Sequence, residues 1–196
     1  MSRPALKDRF DAEAYLAWEA EQTEKHEYAN GEVFAMSGAL ENHVTVALNV
    51  AIALRSHLRG GPCSVFISDM KLHVQADDAF YYPDVFVTCA ESDRAESRHK
   101  STPSLVVEVL SSSTAAYDRG AKFASYRKLP SLREYVLIDP ERLSVDLFRR
   151  GDDGHWVLHP FVAGERVEFS SVGLALPIED LYEDVRFDPE AASTHP

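Results

Sequence analysis

Two acids stand inside runs of apolar residues, and their positions invite chemistry. In Leu105-Val106-Val107-Glu108-Val109-Leu110, strand alternation puts Val106, Glu108 and Leu110 on one face. A buried, unpaired carboxylate is costly, so Glu108 needs a partner or an opening to solvent. Pro83-Asp84-Val85-Phe86-Val87 repeats the pattern 24 residues earlier. Two acids on adjacent strands can converge, and two convergent carboxylates are the minimum for holding a hard cation such as Mg²⁺. A third element follows Glu108. Asp118 and Lys122 are four apart, so a helix projects both from one side, with Tyr126 continuing the row. A surface ion pair of this kind contributes only a few tenths of a kcal/mol. Alternatively, Lys122 points at the carboxylates, where an ammonium can orient a water or offset charge developing on a phosphate. Spacing does not choose between the two.

Other candidates carry less. Ser111-Ser112-Ser113-Thr114 lacks a GxSxG elbow, so capping is its expected role, with Thr114 capping a helix over about 115–129 that Pro130 ends. Phosphate contact at that helix start is the alternative. His155 and His159 share a strand face but lie too far apart for an easy shared metal.

The elements that must position these residues are legible in outline. Asp11 is set to cap a short helix over 11–22. Asn30-Gly31 between two strand-like runs predicts a β-hairpin, because both central residues of a type I′ turn need positive φ. The segment 41–58 is the clearest helix; Val44, Leu48, Ala51, Ile52 and Leu58 are expected to form its buried stripe, and Gly60-Gly61-Pro62 ends it. Strands are expected at CSVFIS, KLHVQ, YYPDVFVTC, SLVVEVLS, REYVLID, SVDLFRR, HWVLHPF and ERVEF, an exposed loop or helical turn over 92–101, and a last helical turn in LPIEDLYE. This order implies a mixed α/β (α+β) fold with a central mixed β-sheet flanked by helices. One domain spans 1–196, with its core over about 10–183 and a frayed tail over about 188–196.

Composition sets bounds. With 45% hydrophobic and 27% charged residues, the chain is ordinary for a globular protein and not for a disordered one. No stretch nears the roughly 20 apolar residues of a membrane helix, and the charged N-terminus is unlike a signal peptide, so the reading is cytoplasmic. Cys63 and Cys89, in no metal pattern, are expected as buried, reduced thiols. The net charge of −12 weighs against general DNA binding, although acids crowd the C-terminal IEDLYEDVRFDPE, and bound metal offsets carboxylate charge.

HEYANGEVFAMS with Asn42-His43, YYPDVFVT, and above all PSLVVEVLSSSTAAYDRGAKFASYRKLPSLREYVLIDP resemble the Uma2-type (DUF820-like) family of the PD-(D/E)xK nuclease superfamily, over about residues 10–180. The resemblance implies a restriction-endonuclease-like fold and a Mg²⁺- (or Mn²⁺-) dependent endonuclease acting on DNA. Asp84 and Glu108 would bind metal, with Glu32 as an upstream acid completing a second metal site or, alternatively, facing solvent. His43 also matches a family position. The superfamily's lysine would stand at Leu110, which cannot serve; the resemblance makes Lys122 its replacement. The rival expectation is a catalytically inactive nuclease-fold binding module. A homodimer suits an enzyme that cuts two strands, but no interface is legible in the sequence.

Overall fold

The computed structural model describes residues 10–187; the tail expected to fray lies outside them. Helix α1 (Ala12–Glu19) starts at Asp11, whose carboxylate accepts from the Ala14 amide at 2.8 Å. Strands β1 (His26–Ala29) and β2 (Glu32–Ala35) form a hairpin turning at Asn30 and Gly31, with φ of 50° and 87°. The expected type I′ chemistry is what the backbone requires. Helix α2 (Glu41–His57) precedes β3 (Ser64–Ile67), β4 (Lys71–Val74), β5 (Ala79–Tyr81) and β6 (Val85–Thr88). Helix α3 (Glu91–Ala95) and β7 (His99–Lys100) lead into β8 (Pro103–Val109). Helix α4 has α-helical turns at Ala115–Tyr117 and Phe123–Tyr126 around a π-helical segment, Asp118–Lys122. Strands β9 (Glu134–Asp139), β10 (Ser144–Arg150), β11 (Trp156–Val162), β12 (Arg166–Phe169) and β13 (Leu174–Pro177) follow, and a 3₁₀ turn at Ile178–Tyr182 ends the described elements.

Two sheets carry the architecture. The larger has the order β11-β10-β9-β8-β6-β3, and the smaller β2-β1-β5-β4-β7. In the larger sheet only β8 and β9 run parallel, the pairing that needs a crossover, and α4 supplies it. The central strands β6 and β8 are buried on both faces, which is why they read as continuous apolar runs. On one face α2, the 3₁₀ turn and the β12–β13 hairpin cover Val85, Leu105, Val107 and Val136. On the other, α4 and residues of the smaller sheet pack on Phe86, Val106 and Leu137. Helix α1 covers the smaller sheet with Tyr15 and Leu16 against Tyr28 and Phe80. No helix among the described residues is long and apolar enough to cross a membrane.

Four expectations need correction. The buried row of α2 is Val46, Val50 and Leu54; of the expected stripe Ala51 and Leu58 do pack against that core, whereas Val44, Leu48 and Ile52 are more than half exposed. Both rows have helical spacing, and only the position of the sheet selects between them. Cys63 and Cys89 are joined by a disulfide across β3 and β6, and Cys89 is exposed. The Ser64–Thr88 register makes 63 and 89 the next cross-strand pair; at a sequence separation of 26, no local pattern announces it. The expectation of two reduced thiols is therefore overturned. Thr114 does not cap α4 with its side chain; the Ser111 hydroxyl accepts from the Thr114 amide at 3.2 Å. Segment 92–101 holds the helical turn that was one of its two expected forms, at Glu91–Ala95, but it is not exposed throughout: Asp93 is buried and accepts from the Ser101 and Thr102 amides, and Lys100 donates to the Asp93 carbonyl.

Candidate functional site

The chain passes between the two sheets at Tyr82-Pro83-Asp84, since β5 belongs to the smaller and β6 to the larger. Proline, with no amide to donate, suits such a break in pairing. Asp84 therefore lies at the seam. One step beyond the Val85–Val107 pair, it stands opposite Glu108 on β8. Its carboxylate is held from two sides: Val109 donates its amide to Oδ2 at 2.7 Å, and His43 Nε2 lies 3.0 Å from Oδ1. His43 sits one turn before Val46 on the buried row of α2, which aims it inward. Burial alone would lower the His43 pKa, but the hydrogen bond and charge of Asp84 outweigh it and raise the pKa above the ordinary imidazole value.

Glu108 is only 3% exposed. Lys122 Nζ lies 2.9 Å from its Oε1, and Tyr126 donates its hydroxyl to the same oxygen at 2.9 Å. Lys122 is equally buried, lying 3.0 Å from Glu27 Oε1 and 3.8 Å from Asp118 Oδ1. The π-helical segment holds Asp118 and Lys122 together on the inner side of α4, and the widened turn leaves a backbone carbonyl to be satisfied elsewhere. Tyr135 does so, donating to the Asp118 carbonyl at 3.0 Å. A surface Asp118–Lys122 pair is thus excluded.

Glu32 is not brought to this cluster. It opens β2 at the exposed hairpin tip, opposite Ala29, on the edge strand of its sheet. The acid that reaches Lys122 is Glu27, on the inner strand β1, where it also accepts the Tyr82 amide at 3.2 Å. Sequence reading passed over Glu27. The signal was there in the alternation His26-Glu27-Tyr28-Ala29, whose apolar and aromatic face points at α1 and whose other face carries the acid.

Charge does not balance within this group. Glu27, Glu108 and Asp118 surround Lys122, Asp84 adds its charge to that of Glu108, and His43 lies beside Asp84. Burial and the acids Asp84, Asp118 and Glu27 raise the Glu108 pKa well above the usual range despite Lys122. Burial likewise raises that of Asp118. Lys122 behaves oppositely: burial disfavours its charge, but Glu108, Glu27 and Asp118 overcome this and hold it protonated. The cluster can relieve its surplus negative charge by keeping a proton or by taking a cation. Asp84 and Glu108 suit a hard cation that retains waters and needs few protein ligands. Among the described residues, no three His, Cys, Asp or Glu side chains are grouped to hold a metal by themselves.

The site is thus a seam between the two sheets of an α+β fold, with acids around a buried lysine. The sequence profile of the Uma2 family, described as "putative restriction endonuclease", matches residues 12–179. The chain belongs to the Uma2 family. Two proteins of the cyanobacterium Synechocystis, slr1290 and sll1609, both described as uncharacterized, are similar along most of their length. The first is 38% identical over 179 residues (91% of this chain, 94% of the relative), and the second 34% identical over 162 residues (81% and 92%). In fold, the chain resembles the crystal structure of a "putative nuclease belonging to DUF820" from Anabaena variabilis, with a TM-score of 0.72, 17% identity, and coverage of 89% of this chain and 98% of that one.

Proposed function

We propose that the protein is a metal-dependent endonuclease that hydrolyses DNA phosphodiester bonds at the Asp84–Glu108–Lys122 cluster. The observation that carries this reading is the surplus of acids around one buried lysine, a costly arrangement for a site that only has to be stable. Asp84 and Glu108 would hold Mg²⁺ or Mn²⁺. Such an ion lowers the pKa of an attacking water and offsets charge on the scissile phosphate.

The rest of the work belongs to the chain. Val109 and His43 fix the Asp84 carboxylate, which spares it reorganisation. Glu108 must lose its proton to act, so its raised pKa ties activity to rising pH. Lys122, kept cationic by Glu27 and Glu108, presents a fixed ammonium to the water or the phosphate. Glu27 takes the supporting role that the resemblance suggested for Glu32.

A second reading has specific support: Lys122 is already engaged by three acids, and no ready-made three-residue metal group exists among the described residues. On that reading the fold is a non-catalytic binding module.

Cleavage of supercoiled and single-stranded DNA with Mg²⁺ or Mn²⁺ separates the two. Asp84→Asn, Glu108→Gln and Lys122→Ala should each lower the rate at least about a hundredfold, Glu27→Gln should lower it less, and Glu32→Gln should leave it unchanged. A folded wild type that cuts neither substrate with either metal would favour the binding module. Activity surviving in Lys122→Ala would remove the lysine from the mechanism while leaving the metal pair in place.

A further inference from the structure

Helix α2 is apolar on two opposite sides. Val46, Val50 and Leu54 face the sheet, while Leu40, Val44, Leu48 and Ile52, spaced by four, face outward. Leu40 is 78% exposed and the other three between 54% and 55%. A helix that is apolar all round is normally covered all round. The outer row also runs into a groove of about 640 Å³ between α2 and β3, lined by Ile52, Arg55, Arg59, Ile67 and Asp69. Ile67 is itself half exposed. Strand β3 closes the larger sheet, so the backbone groups on its outer side pair with no other described strand. Its sequence, Ser-Val-Phe-Ile, carries neither proline nor charge to discourage pairing. The opposite edge, β11, carries Pro160.

We propose that this face, α2 with the β3 edge, is the dimer interface of the protein, and that its occupant is a second copy of the same chain related by a two-fold axis. The area fits. Five large side chains, each leaving on the order of 100 Å² uncovered, amount to roughly 500 Å² of apolar surface. A stable interface covers about 800 Å² per partner, of which some 60% is apolar. Antiparallel strands meet about a two-fold axis as isologous partners, so β3 can extend the sheet into its own copy. Asp69 in the groove is already paired with Lys25 at 2.7 Å, so the second copy is favoured by the area and by the self-complementary β3 edge. The net charge of −12 repels like copies at a distance, so added salt should favour the dimer.

Sedimentation or light scattering of the full chain at about 50 µM, well above a micromolar Kd, tests the proposal. The expected result is a dimer, strengthened between low and moderate salt. Leu48→Glu and Ile52→Glu, on exposed positions that leave the monomer's melting temperature unchanged, should each weaken dimerisation by on the order of a hundredfold. Leu158→Glu, on the β11 edge, should leave the dimer intact. A monomeric wild type at this concentration overturns the proposal. So does a dimer that survives both α2 variants, or one lost in Leu158→Glu. If the full chain is monomeric and becomes dimeric when residues 188–196 are removed, the tail is the occupant and the proposal fails. None of these readouts depends on cleavage, so the outcome stands apart from that of the nuclease reading.

Discussion

Two buried glutamates on neighbouring strands show how differently one residue type is used. Glu134, at the start of β9, is fully buried and pairs with Leu105 in register; Glu108 is three residues further along β8. The Glu134 carboxylate accepts from Arg149 Nε at 2.9 Å, the Ser170 and Ser171 amides at 3.1 and 2.9 Å, and the Ser171 hydroxyl at 2.6 Å. Every donor is neutral or positive, and no other acid is among them. Glu134 ties the β12–β13 turn to the large sheet. Glu108, by contrast, receives a lysine and a tyrosine but shares its surroundings with three other acids. A buried acid with complementary donors is scaffold. A buried acid crowded by like charge is held at a cost that folding alone does not explain.

The sharpest break of this comparison is by substitution. Glu134→Ala should destabilise the protein by about 3–5 kcal/mol in urea unfolding, because Arg149 and two amides lose their acceptor together. Glu108→Gln should change stability by less than about 1 kcal/mol, since an amide imitates the protonated acid and relieves repulsion. Equal losses in the two variants would erase the distinction between scaffold and site.

The same contrast has a pH signature. The folded pKa values of Glu108 and Asp118 are raised by burial and neighbouring acids. In the unfolded chain both lose their protons near the ordinary carboxylate value, around 4, so stability falls as pH rises from there through the higher folded values. His43, also raised, contributes stability that is complete below the ordinary imidazole value, about 6.5, and lost as pH climbs through its folded pKa. All three slopes have one sign. Thermal unfolding should therefore show stability declining from mildly acidic to alkaline pH, and Glu108→Gln with Asp118→Asn should flatten the lower part of that decline. Mg²⁺ at ten times its Kd should restore about 1.4 kcal/mol at neutral pH in the wild type, and nothing in Asp84→Asn. A metal effect of the same size in that variant would place the ion elsewhere.

How much of this could be read beforehand depended on how local each signal was. The Asn30-Gly31 turn and the alternation around Glu108 are decided within a few residues, and they were legible; YYPDVFVTC reads as one strand, and its division at Pro83-Asp84 between two sheets was not. Lys122 was legible as a helix partner of Asp118, but its direction depended on how α4 lies over β8. Glu27 and Glu32 share one face of the same hairpin, and only the strand order, with β1 inside and β2 at the edge, separates a partly buried partner of Lys122 from a solvated tip. Rows 44/48/52 and 46/50/54 of α2 are equally apolar, so periodicity alone chose the wrong one. The Cys63–Cys89 link is a product of β3–β6 register, invisible at a separation of 26.

The smallest effect probes how Glu108 is held in place. Tyr126 is fully buried, donates to Glu108 Oε1, and packs edge-on against Tyr81. Tyr126→Phe keeps the ring and removes the donor, so its cost should be about 1 kcal/mol. The loss should also depend on protonation. An ionised Glu108 needs the donated hydrogen bond more than a neutral one, so the variant should lose more stability at alkaline than at mildly acidic pH. In the Glu108→Gln background, where no charge can form, the Tyr126→Phe cost should become independent of pH. A double-mutant cycle run at both pH values measures this directly. If the coupling is the same at both, the hydroxyl is packing furniture like the donors around Glu134, and the contrast between the two glutamates narrows to the acids around Lys122 alone.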